Sequence, residues 1–247
     1  MKTAFRFCCF AFALVCSARA AEPAPAAANP SPASESGFVS IFDGKTLDGW
    51  DGDPKYWRVE EGNLVGEITP ETVVKRNTFI IWRGGAPHDF ELKIQYRISA
   101  LGNSGINYRS TELTDAKWSL RGYQADIDGP AKSKTVRHTG QNYEERGRTF
   151  LARRGEIVRV DATAKPTVIG SLGDAKTLET FVKNDDWNEF HLVARGGVIT
   201  HILNGQVMSI VVDDDEKNRR FDGLIGVQVH VGPPMKVEYR NIRLKTL

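Results

Sequence analysis

Alternation of apolar and polar residues beyond residue 50 predicts a chain built from β-strands. Residues 90–98 alternate without a break, which places their apolar side chains, from Phe90 to Ile98, on one face of a strand. Asn204-Gly205 supplies the positive φ angles that a tight hairpin turn needs. Further β-rich runs lie at 57–59, 64–65, 79–82, 188–194, 198–203, 206–212, 223–231 and 236–244, and one short helix is predicted at 174–182.

Many short strands with closely spaced turns favour an all-β fold. A parallel α/β fold would need helices of roughly ten or more residues between its strands, and the sequence lacks them. We therefore predict a two-sheet antiparallel jelly-roll sandwich with one short helix. The two sheets should bury their apolar faces, and one outer face is expected to curve into a groove.

Residues 1–20 have the layout of a secretory signal peptide. A basic start precedes the apolar run Phe7–Cys16, which is too short to span a bilayer. Ala18 and Ala20 provide the small residues that a signal peptidase needs, so cleavage is expected after Ala20. The sequence thus predicts an exported protein, periplasmic or secreted, with no membrane span.

The cysteines support the same division of the chain. Cys8, Cys9 and Cys16 all lie in the predicted signal peptide, so the predicted mature chain has no disulfide and no thiolate. A lipid anchor on Cys16 is an alternative, although the preceding Val15 is bulkier than the small residue usual before a lipidated cysteine.

Composition separates a tether from a folded domain and argues against charged partners. Residues 21–36 are mostly Ala, Pro and Ser and predict a flexible tether, and residues 37–247 predict one domain. Without Lys2, Arg6 and Arg19, the 33 basic residues fall to 30 against 31 acidic ones, a net charge of −1. Such a chain has no electrostatic basis for binding nucleic acid or an anionic membrane. The tether alone would also suit a purely structural surface domain.

Short motifs in a fixed order make the sequence more specific. They are Gly37-Phe38, Phe42–Trp50, Trp57–Gly62, Asn103–Arg109, Gly122–Ile127, Tyr143–Arg148, Trp187-Asn188, Leu203–Gly205, Gln228–Met235 and Arg240–Ile242. Together they resemble the 3-keto-disaccharide hydrolase domain family, whose members are concanavalin A-like sandwiches. The resemblance covers essentially all of 37–247 and implies the jelly-roll fold that the strand pattern also predicts.

The resemblance implies a carbohydrate substrate, a glycoside whose sugar is a ketone at carbon 3. Such a ketone acidifies the hydrogen on carbon 2, because the carbanion delocalises onto the oxygen as an enolate. Loss of that proton can expel the aglycone from carbon 1, and later addition of water makes the net result a hydrolysis. The site then needs a base, a group at the enolate oxygen and an acid. A lectin-like module that binds carbohydrate without chemistry is the alternative, since the fold serves both roles.

His230 is the leading candidate for proton transfer. It is the only histidine in a matched motif, and an imidazole exchanges a proton near neutral pH. Binding a divalent metal is an alternative role for this ring, and such a metal is the one cofactor that the sequence leaves open. Gln124 and Asp126 alternate on one strand, so they share a face and are expected to line a polar groove. Asp128, before Gly129-Pro130, is expected to be a turn residue.

The remaining charged candidates lie in two motifs. Arg109 is a candidate for donating to the sugar or its ketone, with a structural ion pair as the alternative. Glu144, Glu145 and Arg146 lie in a predicted loop. One of the two glutamates is expected to be the acid or base, since adjacent side chains diverge, and Arg146 is a substrate-binding candidate.

Asn103, Trp118 and Lys236 complete the set of candidates. Asn103 either shapes the turn before its strand or contacts the sugar, and Trp118 is the best placed tryptophan for stacking on a sugar ring. Lys236 is either an aid to the enolate or a solvated lysine on a strand. The acidic run Asp213–Glu216 is expected to be a solvated loop.

Overall fold

The uninterrupted alternation at 90–98 forms one strand of nine residues in the computed structural model. Buried and half-buried positions alternate along its whole length, and Phe90, Leu92 and Ile94 are fully buried. The structure describes Met1, residues 35–130 and residues 137–247. The predicted signal peptide beyond Met1, and the predicted tether up to residue 34, lie outside the described residues.

Glu35, predicted to lie near the end of the tether, contacts the domain. Its carboxylate accepts a hydrogen bond from Lys93 Nζ at 2.6 Å, and its carbonyl accepts one from the Phe38 amide at 3.1 Å. The described residues from Glu35 onward belong to one compact unit. Within the described residues, no helix is both long and apolar enough to cross a membrane.

The described residues form seventeen strands and one short helix. The strands are β1 (Val39–Ser40), β2 (Trp50–Asp51), β3 (Trp57–Glu60), β4 (Asn63–Ile68), β5 (Thr78–Trp82), β6 (Phe90–Ile98), β7 (Asn103–Leu113), β8 (Ala116–Asp128), β9 (Asn142–Glu145), β10 (Thr149–Ala152), β11 (Glu156–Val160), β12 (Pro166–Ser171), β13 (Asn188–Arg195), β14 (Val198–Leu203), β15 (Gln206–Asp213), β16 (Leu224–Val229) and β17 (Met235–Thr246). The helix α1 (Ala175–Glu179) is shorter than predicted and is capped by the Asp174 carboxylate, which accepts from the Thr177 amide.

Two sheets contain all of these strands. One has ten strands in the order β12-β11-β15-β14-β13-β6-β17-β4-β3, with β1 beside β17. The other has seven, in the order β10-β9-β8-β7-β16-β5-β2. Neighbouring strands are antiparallel except for β11 and β15, which are parallel. The all-β, two-sheet fold with one short helix is therefore confirmed.

The core lies between the two sheets and includes a few polar links. Phe90 of the ten-stranded sheet meets Tyr108 of the seven-stranded sheet edge to face, with ring centroids 6.0 Å apart. The Tyr108 hydroxyl hydrogen-bonds His201 Nε2 at 2.7 Å. Complete burial lowers the pKa of His201 to about 3, so this imidazole is neutral and serves packing.

A buried ion-pair network joins the sheets near β9. Arg148 contacts the carboxylates of Glu144 at 2.5 Å, Asp213 at 2.7 Å and Asp215 at 3.1 Å. The expectation that Asp213–Glu216 is a solvated loop is thus wrong for Asp213 and Asp215, which are buried. The predicted loop at Glu144 is also wrong, since both glutamates belong to β9.

Candidate functional site

The outer face of the seven-stranded sheet carries polar side chains in its central strands. On β8, Tyr123, Ala125 and Ile127 belong to the core, so Gln124 and Asp126 between them point to the opposite face. This confirms that the two polar residues share a face. Both are nearly buried although they face away from the core.

Strand pairing extends this polar row across β7 and β16. Asn107 lies opposite Gln124, and Gly226 of β16 lies opposite Asn107. Gln228 follows Gly226 by two residues and so shares its face. The Gln228 amide donates to Gln124 Oε1 at 3.3 Å, and Gln124 Nε2 donates to Asp126 Oδ1 at 2.6 Å.

Gly105 makes room for this chain of hydrogen bonds. It lies opposite Asp126, and a Cβ atom at this position would lie 2.4 Å from Gln124 Cδ. A larger residue would therefore displace the Gln124 amide from Asp126. The glycine of the Asn-Ser-Gly motif thus serves close side-chain approach.

Asp126 has an unusual protonation state. Burial raises its pKa to about 8; the Gln124 hydrogen bond opposes this, and the negative charges of Asp128 and Glu145 add to it. At neutral pH the carboxyl group is therefore mainly protonated. It can donate a proton, which an ionised aspartate cannot.

Glu145 is the second acidic residue on this face, and Asn77 links it by hydrogen bonds to the loop after β16. Asn77 Nδ2 donates to Glu145 Oε1 at 3.2 Å, while Asn77 Oδ1 accepts from the Val231 amide at 3.0 Å. Burial and the charges of Glu145 and Asp126 raise the pKa of Tyr143, the β9 residue opposite Gln124. Asn77 therefore connects Glu145, which forms a cluster with Gln124 and Asp126, to the segment that carries His230.

A pocket of about 460 Å³, here the His230 pocket, lies at the end of β8, where Asp128 lines it. His230, Asn103, Asp128 and His138 are among its lining residues, whereas Asp126, Gln124 and Glu145 are not. His230 Nδ1 lies 2.7 Å from the Val231 carbonyl, which only accepts, so Nδ1 carries the hydrogen. In the neutral ring, Nε2 then keeps a lone pair that can take a proton.

Asp128 shapes the wall of the His230 pocket. Its carboxylate accepts from the backbone amides of Arg137, His138 and Thr139. This confirms the prediction that it is a turn residue, and it fixes the chain where His138 enters the pocket.

Two amides on the polar row have unused hydrogen-bonding atoms. Asn107 is fully buried, and neither polar atom of its side chain has a partner among the described residues; the same holds for Gln228 Oε1. Buried polar groups are normally paired, and exceptions concentrate at functional sites. Both side chains are closed to solvent in this structure.

A sequence profile for the 3-keto-alpha-glucoside-1,2-lyase-like domain matches residues 37–245. The chain belongs to this family. A 3-keto-disaccharide hydrolase from Bacteroides thetaiotaomicron is 33% identical over 246 residues, covering 85% of this chain and 79% of that protein. At family level the chain is thus a hydrolase-like protein of carbohydrate metabolism.

Solved structures share the fold of this lyase-like domain. A glycosyl hydrolase-like protein from Parabacteroides distasonis is 20% identical with a TM-score of 0.54, covering 85% of this chain and 94% of its own. A second from the same organism is 17% identical with a TM-score of 0.55, covering 85% and 99%. The carbohydrate-binding module CBM66 from Bacillus subtilis, 16% identical, has a TM-score of 0.50 and covers 80% and 96%. Proteins named for glycosyl hydrolysis and for carbohydrate binding therefore share this sandwich fold.

Within the lyase-like domain, five of the candidates predicted from sequence lie at or beside this face. Asn103 and His230 line the pocket, and Gln124, Asp126 and Glu145 form the cluster. Arg146 follows Glu145 in a turn, with its Nε atom 4.0 Å from Glu145 Oε1 and its side chain 43% exposed. The roles assigned to these residues stay predictions.

Arg109 does not reach the site. Its side chain is completely buried and donates to the carbonyls of His88, Gly196 and Arg220. It also contacts the Asp89 carboxylate at 3.1 Å. The structure therefore agrees with the alternative of a structural ion pair, because no surface of the guanidinium is left for a sugar.

Glu144 and Lys236 also point away from the site. Glu144 faces inward to Arg148, so Glu145 is the glutamate of the pair that faces the polar row. Lys236 lies on the outer face of the ten-stranded sheet, where its Nζ atom is 2.8 Å from a Glu60 carboxylate oxygen. It is the solvated strand lysine that the sequence left as its alternative role.

Trp118 occupies a different part of the seven-stranded sheet. It packs against the small apolar cluster of Phe79, Ile81 and Leu120, and its indole nitrogen donates to Asp51 at 2.8 Å. It lines a second pocket, separate from the His230 pocket. Stacking of a sugar ring on Trp118 stays a prediction.

Five residues of this face were missed by the sequence reasoning. Asn107, Tyr143 and Gln228 lie within the matched motifs, and alternation along β7 and β16 would have put Asn107 and Gln228 on the face away from the core. Asn77 and His138 lie outside those motifs, and only the folded chain brings them to the site.

We predict that replacing Asp126 with Asn changes the pH dependence of stability. An unfolded aspartate is ionised above about pH 4, whereas the folded one keeps its proton up to a pKa of about 8. Folding thus takes up a proton in this window, and stability falls as pH rises through it, by at most about 1.4 kcal/mol per pH unit. The Asp126→Asn variant has no carboxyl group at this position, so its stability does not fall for this reason as pH rises. Its stability relative to the unsubstituted protein should therefore grow between about pH 5 and about pH 8.

Urea unfolding across this pH range measures the effect. Asp48→Asn, at an exposed aspartate, is the matched control and should show no growing difference. A constant difference for Asp126→Asn at all pH values would mean that the Asp126 carboxyl ionises normally.

Proposed function

We propose that this protein cleaves glycosides whose sugar carries a ketone at carbon 3. One observation carries the proposal: Asp126, a protonated carboxyl group, lies on the outer face of β8, and His230, an imidazole with a free lone pair, lines the pocket that also includes Asp128 at the end of that strand. Membership of the 3-keto-alpha-glucoside-1,2-lyase-like family and the name of the Bacteroides relative support this substrate class.

The chemistry needs proton transfer at two positions of the sugar. Nε2 of His230 takes the proton from carbon 2, and the electron pair moves onto the ketone oxygen at carbon 3 as an enolate. Collapse of the enolate forms the carbon 1–carbon 2 double bond and breaks the bond to the aglycone oxygen. Asp126 gives its proton to that oxygen. Water then adds across the double bond, so the overall change is hydrolysis.

Two other polar residues act on the Asp126 carboxyl in this scheme. Gln124 holds the Asp126 carboxyl, and Glu145 helps to keep it protonated by its negative charge. The unpaired amide atoms of Asn107 and Gln228 belong to the same polar row, but they are closed to solvent and would reach a substrate only if the side chains that cover them moved. Among the described residues, no group of three or more His, Cys, Asp and Glu side chains is arranged to hold a metal ion.

We predict release of nitrophenol from a nitrophenyl 3-keto-glucoside, but not from the corresponding unoxidised glucoside. In deuterium oxide, elimination followed by water addition should place deuterium on carbon 2 of the product, which NMR detects. Direct hydrolysis would leave hydrogen there. Tight binding of the glycoside in calorimetry without release of nitrophenol, with or without added divalent metal, would instead favour the lectin-like module.

We further predict that substitutions of His230 and Asp126 have different signatures. His230→Gln should lower kcat by about 100- to 10,000-fold on every 3-keto-glycoside, because the base is needed for each. Asp126→Asn should lower it by about 100-fold or more on a methyl 3-keto-glycoside but by under about tenfold on the nitrophenyl one, since nitrophenolate leaves without a proton.

His88→Gln, at a histidine whose side chain is 60% exposed, is the matched control and should keep the activity. Equal losses of Asp126→Asn on both leaving groups would exclude Asp126 as the acid for the aglycone. Full activity of His230→Gln would exclude His230 as the base.

We also propose that the protein is exported through cleavage of residues 1–20. The basic start, the short apolar run and Ala18-Arg19-Ala20 support this. Mass spectrometry of the protein isolated from its native cells should show a chain that begins at Ala21. A lipid-modified chain that begins at Cys16 would support the anchored alternative, and a chain that keeps the first twenty residues would contradict export.

A further inference from the structure

A second pocket, of about 330 Å³, lies where three segments meet on the seven-stranded sheet's side of the molecule. We call it the basic pocket, because four cations line it and Asp53 is the one acid among its lining residues. The cations are Lys55, Lys75, Arg76 and Lys117. The segments are the β2–β3 connection, the approach to β5 and the start of β8.

The four cations make no ion pair with the described part of the chain. The nearby acids are already engaged: Asp51 and Glu112 bind Arg83 at 2.7 Å each. Asp53 accepts from the Lys55 backbone amide at 2.9 Å and shapes its own turn. The basic pocket therefore keeps an excess of positive charge in a domain whose net charge is close to zero.

Two aromatic rings, Tyr56 and Trp118, line the basic pocket, and each makes a cation–π contact with one of its lysines. Lys117 Nζ lies 4.0 Å from the centroid of the Trp118 ring, and Lys55 Nζ lies 5.5 Å from that of Tyr56. Tyr56 is buried and its hydroxyl donates to the Val73 carbonyl at 3.4 Å. The basic pocket thus combines flat apolar walls with positive charge, which suits an aromatic ring bearing an anion.

Trp118 is held firmly in this place. Its φ is 55°, in a region that bulky side chains rarely adopt unless their surroundings impose it. Those surroundings are visible: the Trp118 amide donates to Glu112 at 2.8 Å, and its indole nitrogen donates to Asp51 at 2.8 Å. The wall is therefore formed before any ligand binds.

Asn77 links the basic pocket to the candidate active site. Its chain neighbours Arg76 and Thr78 line the basic pocket, while its own amide group contacts Glu145 and the Val231 amide. Val231 lines the His230 pocket. The two pockets thus lie on either side of Asn77, and a ligand that fills both must extend from the His230 pocket past Asn77 to Arg76.

We propose that the basic pocket binds the carboxylate of an aromatic aglycone, so that acidic aryl glycosides are the preferred substrates. This specificity rests on the proposed function, because it assumes that the sugar occupies the His230 pocket. The size of the basic pocket is at the small end of the range for ligand sites, which fits one aromatic ring and its carboxylate.

Binding of unoxidised glycosides tests the basic pocket without requiring turnover. Calorimetry should show that carboxyphenyl glucoside binds roughly tenfold more tightly than its methyl ester, as expected for two exposed charge contacts. In the double variant Arg76→Gln/Lys117→Gln the two ligands should bind within about twofold of each other. The advantage of the acid should also shrink in about 1 M salt, because such charges are screened.

Arg153→Gln/Lys183→Gln is the matched control. It changes the net charge equally at exposed cations outside the lining of the basic pocket, and it should keep the tenfold preference. Equal binding of acid and ester by the unsubstituted protein would overturn the proposal. So would a preference that survives in the pocket variant or disappears in the control.

A competition experiment and a kinetic measurement separate this proposal from two related explanations. Displacement of the acid by inorganic phosphate but not by benzoate would overturn the carboxylate assignment in favour of a phosphate group. With carboxyphenyl 3-keto-glucoside, the pocket variant should raise KM about tenfold and the control should not. If no 3-keto-glycoside releases its aglycone, the proposed function fails, while the calorimetric result still decides whether the basic pocket selects the acid.

Discussion

The ion-pair network around Arg148 fixes the part of the molecule on which the candidate site depends. Burial alone would lower the pKa of Arg148, but hydrogen bonds with Asp213 and Glu144 outweigh it and raise the pKa. Removing one partner from a buried ion pair typically costs about 3–5 kcal/mol, so the position of β9 is strongly specified. Because Glu144 turns inward to this network, strand alternation turns Glu145 outward to the polar row.

The strand pattern was predictable because its cause is local. A period of two in β6 and β13 follows from burying one face, and Asn204 and Gly205 have the positive φ angles predicted for their hairpin turn, 50° and 81°. The same local rule placed Gln124 beside Asp126. These parts of the fold and of the site needed no knowledge of distant contacts.

Residues whose direction depends on irregular or distant structure were not predictable. The pairing of β7 with β8 shifts register between Tyr108 and Thr111, and Arg109 within this irregularity has a φ of 44°. Simple alternation therefore fails at Arg109, whose guanidinium turns to carbonyls from three distant segments. Likewise, the acidic residue Asp213 is buried because a distant cation, Arg148, reaches it.

The polar row is better explained by function than by stability. Burial keeps the Asp126 carboxyl protonated and leaves the polar atoms of Asn107 without a described partner, and both effects cost folding free energy. An apolar outer face would avoid that cost, as the neighbouring cluster of Phe79, Ile81 and Leu120 does on the same sheet. In the proposed reaction, the leaving oxygen of the glycoside accepts the Asp126 proton. The protonated carboxyl group of Asp126, which costs the free protein folding free energy, is therefore the group that the proposed reaction uses.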